Sequence, residues 1–282
     1  MPKKTGPNAS SASCGHSHKP PVATPGGKTK SAAKAPTRLK TIQKPSPKTA
    51  RSSGKTASAT AGGSAQMSAY LRSYKGLQDW HIPVFRSIAK LIIAHQIADP
   101  PTSFKTLYPG CHRHITASLF LPSVTYIDSD AKVQGLYSDP KALAYVAANK
   151  EYEGESHMLF KHKNFDQNLG LPDGSFDLII SASAGIVSVP CGRYLKKGGF
   201  LLVSDAHYDA RMAYASPKLW ELYGVYDGES ETFTTDTKGH FQLKSGGCIS
   251  MKEVQESIDV PEKRKRSFSL LKETLFYAFR RK

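Results

Sequence analysis

Four short apolar runs constrain this chain most: Phe104–Tyr108, Val124–Ile127, Phe176–Ser181 and Phe200–Ser204. Each is closed by polar residues or a glycine turn. The last, Phe200-Leu-Leu-Val-Ser204, is apolar throughout until its serine, so the strand it forms needs cover on both faces. A weaker run, His157–Lys161, falls between the second and third. Segments of helical spacing separate these runs, and strands alternating with helices argue for a parallel sheet with right-handed crossovers.

Before the first strand, Ser68 to Gly76 and His81 to Gln96 have helical spacing. In the second of these, Ile82, Phe85, Ile88, Leu91 and Ile92 share a face, Pro83 sits in the tolerant first turn, and Asp99-Pro-Pro101 provides the stop. Asp130 to Tyr137 and Pro140 to Lys150 read as helices. A further helix from about Gly185 to Leu195 is expected to end at Lys196-Lys-Gly-Gly199, where cations and glycines suit a helix C-terminus. After Asp209 the pattern loosens into strands at Leu219–Tyr226 and Thr274–Phe279, with a helix at Met251–Ile258. The expected fold is α/β, a Rossmann-like doubly wound and mostly parallel sheet in one domain over residues 67–282. N-terminal helices take 67–103, the core 104–209, and the C-terminal strands and substrate-side elements 210–282.

Residues 1–66 are different in kind. They contain no Asp or Glu, few large apolar residues, and much Ser, Thr, Ala, Gly, Pro and Lys. Such a composition buries too little apolar surface to offset its ordering entropy, so a disordered tail is expected. The whole chain carries a formal charge of +16, of which the tail supplies +12, leaving the remainder only mildly basic. Any nucleic-acid or other polyanion partner is therefore expected to act through the tail. Lys263-Arg-Lys-Arg266 is a second basic run. With neither a secretory apolar region nor a run of 18 apolar residues, the expected location is intracellular, cytoplasmic or nuclear, without a membrane partner. A mitochondrial presequence is disfavoured, because the tail is Lys-rich and Pro-rich with no apolar face. Cysteines 14, 111, 191 and 248 are far apart and form no CxxC, so free thiols and no metal site are expected.

In an open parallel sheet, ligands bind beyond the carboxyl ends of the strands, near the reversal of strand order. Polar residues follow every strand here: Tyr108-Pro-Gly-Cys-His112, Asp128-Ser-Asp130, Asn164-Phe-Asp166, Ser181-Ala-Ser183 and Asp205-Ala-His-Tyr-Asp209. Gly110 permits a sharp turn close to a ligand. Asp128, 18 residues later, can accept hydrogen bonds from both hydroxyls of a ribose. A tight turn at Gly110 and a helix N-cap at Asp128 or Ser129 explain the same two residues without a ligand.

Pro172-Asp-Gly-Ser-Phe-Asp-Leu-Ile-Ile180, followed by Arg193-Tyr-Leu-Lys-Lys-Gly-Gly-Phe-Leu-Leu-Val203, resembles the fourth-strand and fifth-strand motifs of class I S-adenosylmethionine-dependent methyltransferases. The resemblance covers roughly 104–209 and is nearest to a divergent subset with a Leu-Tyr-Pro-Gly first loop, here Leu107 to Gly110. It implies a seven-stranded sheet and S-adenosyl-L-methionine as cofactor. Tyr108, Pro109, Gly110 and Cys111 would lie beside its methionine part, Asp128 and Ser129 at the ribose, Phe165 and Asp166 near adenine, and Ser183 at the crevice rim. His207, after the fifth strand, is the implied proton acceptor, with a histidine that caps or packs its loop as the alternative, and the methyl acceptor stays open. Where the family has several glycines, this chain has Gly110 and then Cys-His-Arg-His114. Two other readings follow from the residues: a methyltransferase fold retained as a binding scaffold, and a nicotinamide-dependent oxidoreductase. The latter is disfavoured because no Gly-x-Gly-x-x-Gly follows the first strand.

Overall fold

A computed structural model describes residues 59–95, 104–259 and 268–282. The expectations for the tail up to residue 58, for Asp99-Pro-Pro101 and for the basic run at 263–266 lie outside the described residues. In chain order the elements are α1 (Ala59–Tyr74), α2 (Ile82–Ala94), β1 (Lys105–Pro109), β2 (Ser123–Asp128), α3 (Pro140–Asn149), β3 (His157–His162), β4 (Phe176–Ser181), α4 (Ser188–Cys191), β5 (Leu195–Val203), α5 (Asp209–Tyr214), β6 (Trp220–Asp227), β7 (Thr232–Thr234), α6 (Met251–Asp259) and β8 (Tyr277–Arg281). They build an eight-stranded sheet in the order β3-β2-β1-β4-β5-β8-β6-β7.

Strands β1 to β5 are mutually parallel, while β8 enters antiparallel between β5 and β6, and β7 is an antiparallel edge strand. Strand order runs outward from β1 through β2 to β3, then reverses through β4 to β5. The switch point thus lies between the carboxyl ends of β1 and β4. This is a Rossmann-like, doubly wound sheet.

Side-chain alternation assigns each strand residue to one of two apolar layers. Tyr108, Val124, Tyr126, Leu178, Ile180, Phe200 and Leu202 pack under α1, α2 and α3 with Tyr70, Phe85, Ile88 and Val146. Leu107, Ile127, Ile179, Leu201 and Val203 pack on the opposite face with Cys191, Ala213 and Val254 from α4, α5 and α6. Both faces of the central strands are covered, as the unbroken run Phe200–Val203 requires.

The helix expected over Gly185–Leu195 shrinks to α4 and a single 3₁₀ turn at Gly192–Tyr194. Lys196-Lys-Gly-Gly199 is not a helix terminus but part of β5. Register with β4 slips between Phe176 paired to Leu195 and Leu178 paired to Phe200, an irregularity that absorbs the glycines. Gly198 takes a φ of +79°, and a Cβ on Gly199 would fall 2.9 Å from the Asp177 carbonyl oxygen. Lys196 reaches back to the buried Asp177 carboxylate at 2.6 Å. The same sequence signature that caps a helix here bends a strand. Asp130 to Tyr137 is likewise a 3₁₀ helix, Ala131–Leu136, capped by Asp130 rather than by Asp128 or Ser129.

Candidate functional site

The carboxyl ends of β1, β2, β4 and β5 carry a set of tight turns. Gly110 has a φ of +64° and donates its N–H to the Ile127 carbonyl at 2.7 Å, tying the turn after β1 to β2. Three non-glycine residues also adopt left-handed backbone at these ends: His112 after β1, Ser183 after β4 and Tyr208 after β5, with φ of 48°, 60° and 66°. Such conformations are costly for residues with a Cβ, and they persist where surrounding contacts over-determine them.

Those contacts are visible. Asp128 Oδ2 accepts the His112 N–H at 2.6 Å and Oδ1 accepts the Asp130 N–H at 2.9 Å, so this carboxylate fixes the strained turn after β1. Ser204 Oγ accepts the Ser183 N–H at 3.1 Å. Asp209 is buried and accepts from Ser181 Oγ at 2.6 Å, Val187 N at 3.1 Å and Ser188 Oγ at 2.5 Å, which pins the loop between β4 and α4. Burial pushes the Asp209 carboxyl above its ordinary range, against the opposing hydrogen bonds. Asp205 is held by the Arg211 guanidinium at 2.6 Å, and its carboxyl too is raised by burial, with Arg211 pulling the other way.

The residues expected at a cofactor fall into two groups. Gly110, Asp128, Ser129, Phe165, Asp166, Ser183 and His207 are exposed or half-buried on loops at the carboxyl end of the sheet. A Cβ built on Gly110 would lie 2.4 Å from the Ala184 Cβ and 3.6 Å from Cε1 of Phe165, and one on Gly185 3.7 Å from Cζ of Phe165. The Phe165 ring therefore sits between the turns that follow β1 and β4. Tyr108, Pro109 and Cys111 are buried. Tyr108 shares the face of Tyr126 and Leu178 and points under the N-terminal helices, while the Cys111 sulfur meets the Tyr137 hydroxyl at 3.1 Å. Burial raises the Cys111 thiol far above its usual range, which removes it as a nucleophile. The Tyr108 and Cys111 side chains thus pack into the apolar layer under the N-terminal helices. Of the cysteines, Cys111 and Cys191 are free and buried, whereas Cys248 is disulfide-bonded, contrary to the expectation for that residue.

One constellation escaped the sequence reading. Asp79, His81 and His114 converge beneath α2, all three buried. Asp79 Oδ1 accepts from His81 Nδ1 at 2.8 Å, and Oδ2 takes His114 Nε2 at 2.7 Å and Thr116 Oγ1 at 2.6 Å. The other nitrogen of His114 meets the Tyr108 hydroxyl at 2.7 Å. Burial pulls the His114 imidazole down to about 4, outweighing Asp79. Burial opposes ionisation of Asp79, but hydrogen bonds from His114 and His81 overcome it and hold the carboxyl well below its usual range. The available signal was the pair Asp79-x-His81 directly before an apolar helix, together with His114 just past β1. Their separation of 33 residues between His81 and His114 hides the contact until the fold closes it.

No protein-family model matches the sequence, and no curated protein matches it. Similar solved structures include a geranyl diphosphate methyltransferase in complex with GPP and sinefungin, 14% identical over 41% of this chain and 43% of that one, with a TM-score of 0.30. Another is an arsenic(III) S-adenosylmethionine methyltransferase from Chlamydomonas reinhardtii, 27% identical over 36% of this chain and 38% of that one, TM-score 0.30. The YcgJ protein from Bacillus subtilis is 13% identical over 68% of this chain and 94% of that one, TM-score 0.33. The chain spans less than half the length of the first two. Among the described residues, no helix is long and apolar enough to cross a membrane.

Proposed function

We propose that this chain binds S-adenosyl-L-methionine at the carboxyl ends of β1, β2 and β4 and transfers its methyl group to an acceptor whose class is open. The observation that carries the reading is Asp128. Its carboxylate stands at the end of β2 beside the Gly110 turn, one strand away from the switch point between β1 and β4. Two backbone N–H groups orient it, and each oxygen keeps a second lone pair for a ribose hydroxyl. Ser129, Asp166 and Ser183 supply polar atoms around the same rim, and Phe165 an apolar wall for a purine.

The cofactor supplies an already activated sulfonium, so the chain's contribution is alignment and the uptake of a proton. The exposed His207, in the turn after β5, is the side chain proposed for that uptake. The Asp205–Arg211 and Asp209–Ser188 contacts hold the elements on either side of it. The basic segment 1–66 is proposed to bind a nucleic acid or other polyanion. Its deletion should abolish a steep salt dependence of RNA or DNA binding and leave cofactor affinity intact.

A second reading is favoured by the packing of Ala184 and Phe165 against Gly110, which fills the space between the two turns: a methyltransferase fold kept as a scaffold, without cofactor. Thermal melting of the full chain separates the alternatives. S-adenosylhomocysteine in excess should raise Tm and NADH should not. A rise with NADH alone supports an oxidoreductase, and no rise with either supports the scaffold.

A further inference from the structure

Asp79 and His81, from the turn that leads into α2, and His114, from the loop after β1, converge on one buried point. Their ligand atoms all lie within 4.8 Å of one another. We infer that these three residues form a binding site for a single divalent transition-metal ion, zinc by chemistry, which fastens the N-terminal helices to the loop that follows β1.

The donor set is the first reason. Two imidazoles and one carboxylate are a usual three-residue complement for zinc, with a fourth position left for a water or another oxygen. Thr116 Oγ1, 2.6 Å from Asp79 Oδ2, is a protein oxygen beside that place. The second reason is orientation. A ligating histidine characteristically has its other ring nitrogen held by a hydrogen-bond partner, and His114 has the Tyr108 hydroxyl there at 2.7 Å. Its ring is also fixed by a stack on Tyr74 at 4.2 Å between centroids, and His81 by a stack on Trp80 at 3.6 Å.

Charge is the third. The Asp79 side chain is 1% exposed, and among the described residues its ion-pair partners are the two histidines, with no Lys or Arg. A buried carboxylate without a cation is expensive, whereas a dication supplies the missing charge. Phe85 and Phe276 wall the cluster, at 5.7 Å and 6.0 Å from the His81 ring, and keep its dielectric low. In the hydrogen-bonded arrangement, protons occupy the positions between Asp79 and the imidazoles. Zinc would displace them and hold each ligand at about 2.0–2.2 Å. The site stands independently of what binds at Asp128.

The test uses the full chain, purified without chelator, and metal analysis after desalting. One equivalent of zinc per chain is expected, together with the visible absorption of tetrahedral cobalt after exchange with Co²⁺. Chelation should lower Tm, and zinc should restore it. His81→Gln should retain the fold, shown by circular dichroism, and bind Co²⁺ at least about tenfold more weakly, the loss of one ligand contact. Folded wild-type chain that takes up neither Zn²⁺ nor Co²⁺ when supplied at an equivalent overturns the inference and leaves a hydrogen-bonded cluster.

Discussion

Gly110 and Ala184 touch across the switch point of the sheet, so closely that a β-carbon on the glycine would stand 2.4 Å from that of the alanine. The turns after β1 and β4 are therefore one packed unit. Gly110 also holds a φ of +64°. Gly110→Ala should cost at least about 2 kcal/mol, combining left-handed strain with overpacking. Adding Ala184→Gly should restore only the steric part. Urea melts of the single and double variants check this, and a neutral single variant would contradict the packing.

Phe165 lies half-buried between those turns. If its ring is a wall for the cofactor's purine, Phe165→Ala should weaken S-adenosylhomocysteine binding by about 1 kcal/mol, roughly fivefold. Tighter binding by the variant, measured by the same titration, would identify the ring as an obstruction and favour the scaffold reading.

Asp128 has two tasks, and they separate experimentally. Asp128→Asn keeps one acceptor oxygen but presents an amide to the other backbone N–H, so the strained His112 turn should lose about 1–2 kcal/mol. Affinity for S-adenosylhomocysteine should fall further, by about 1.5–3 kcal/mol, because a hydrogen bond to a charged acceptor is lost at the ribose. Equal losses in the two measurements would assign Asp128 a structural role alone.

Asp209 accepts from Ser181, Val187 and Ser188, and among the described residues no Lys or Arg pairs with it. Asp209→Asn turns a donor toward these groups and should destabilise the chain by about 2–3 kcal/mol. The pH dependence has a definite sign. With its folded pKa raised by burial, Asp209 contributes stability that is full below the ordinary carboxylate range and is lost as pH rises through the folded midpoint. Comparing the stability of wild type and Asp209→Asn from acid to neutral pH should remove that slope; an unchanged slope would contradict it.

Much of the sheet was legible because its signals are local. Phe176–Ser181 was read with its observed bounds, and β2, β3 and α3 within a residue or two, since apolar alternation and turn residues act over a few positions. Lys196-Lys-Gly-Gly199 misled because glycines and cations suit a helix end and a bent strand equally; only pairing with β4, and Asp177 awaiting Lys196, decides between them. β7 went unread, three residues in an otherwise polar stretch. At the site, Gly110 and Asp128 were legible by position after strands. Tyr108 turns inward on the face of Tyr126, as strand alternation places it, whereas Cys111 lies past the strand where alternation gives no direction. The Asp79–His81–His114 convergence depends on how α2 lies on the sheet, which no local pattern encodes.

The rim around Asp128 is the proposed S-adenosyl-L-methionine site. Isothermal titration of the full chain with S-adenosylhomocysteine tests it most directly. The prediction is saturable binding at one site per chain, weakened in Asp128→Asn. No detectable heat at millimolar ligand, from protein shown to be folded, would contradict the claim.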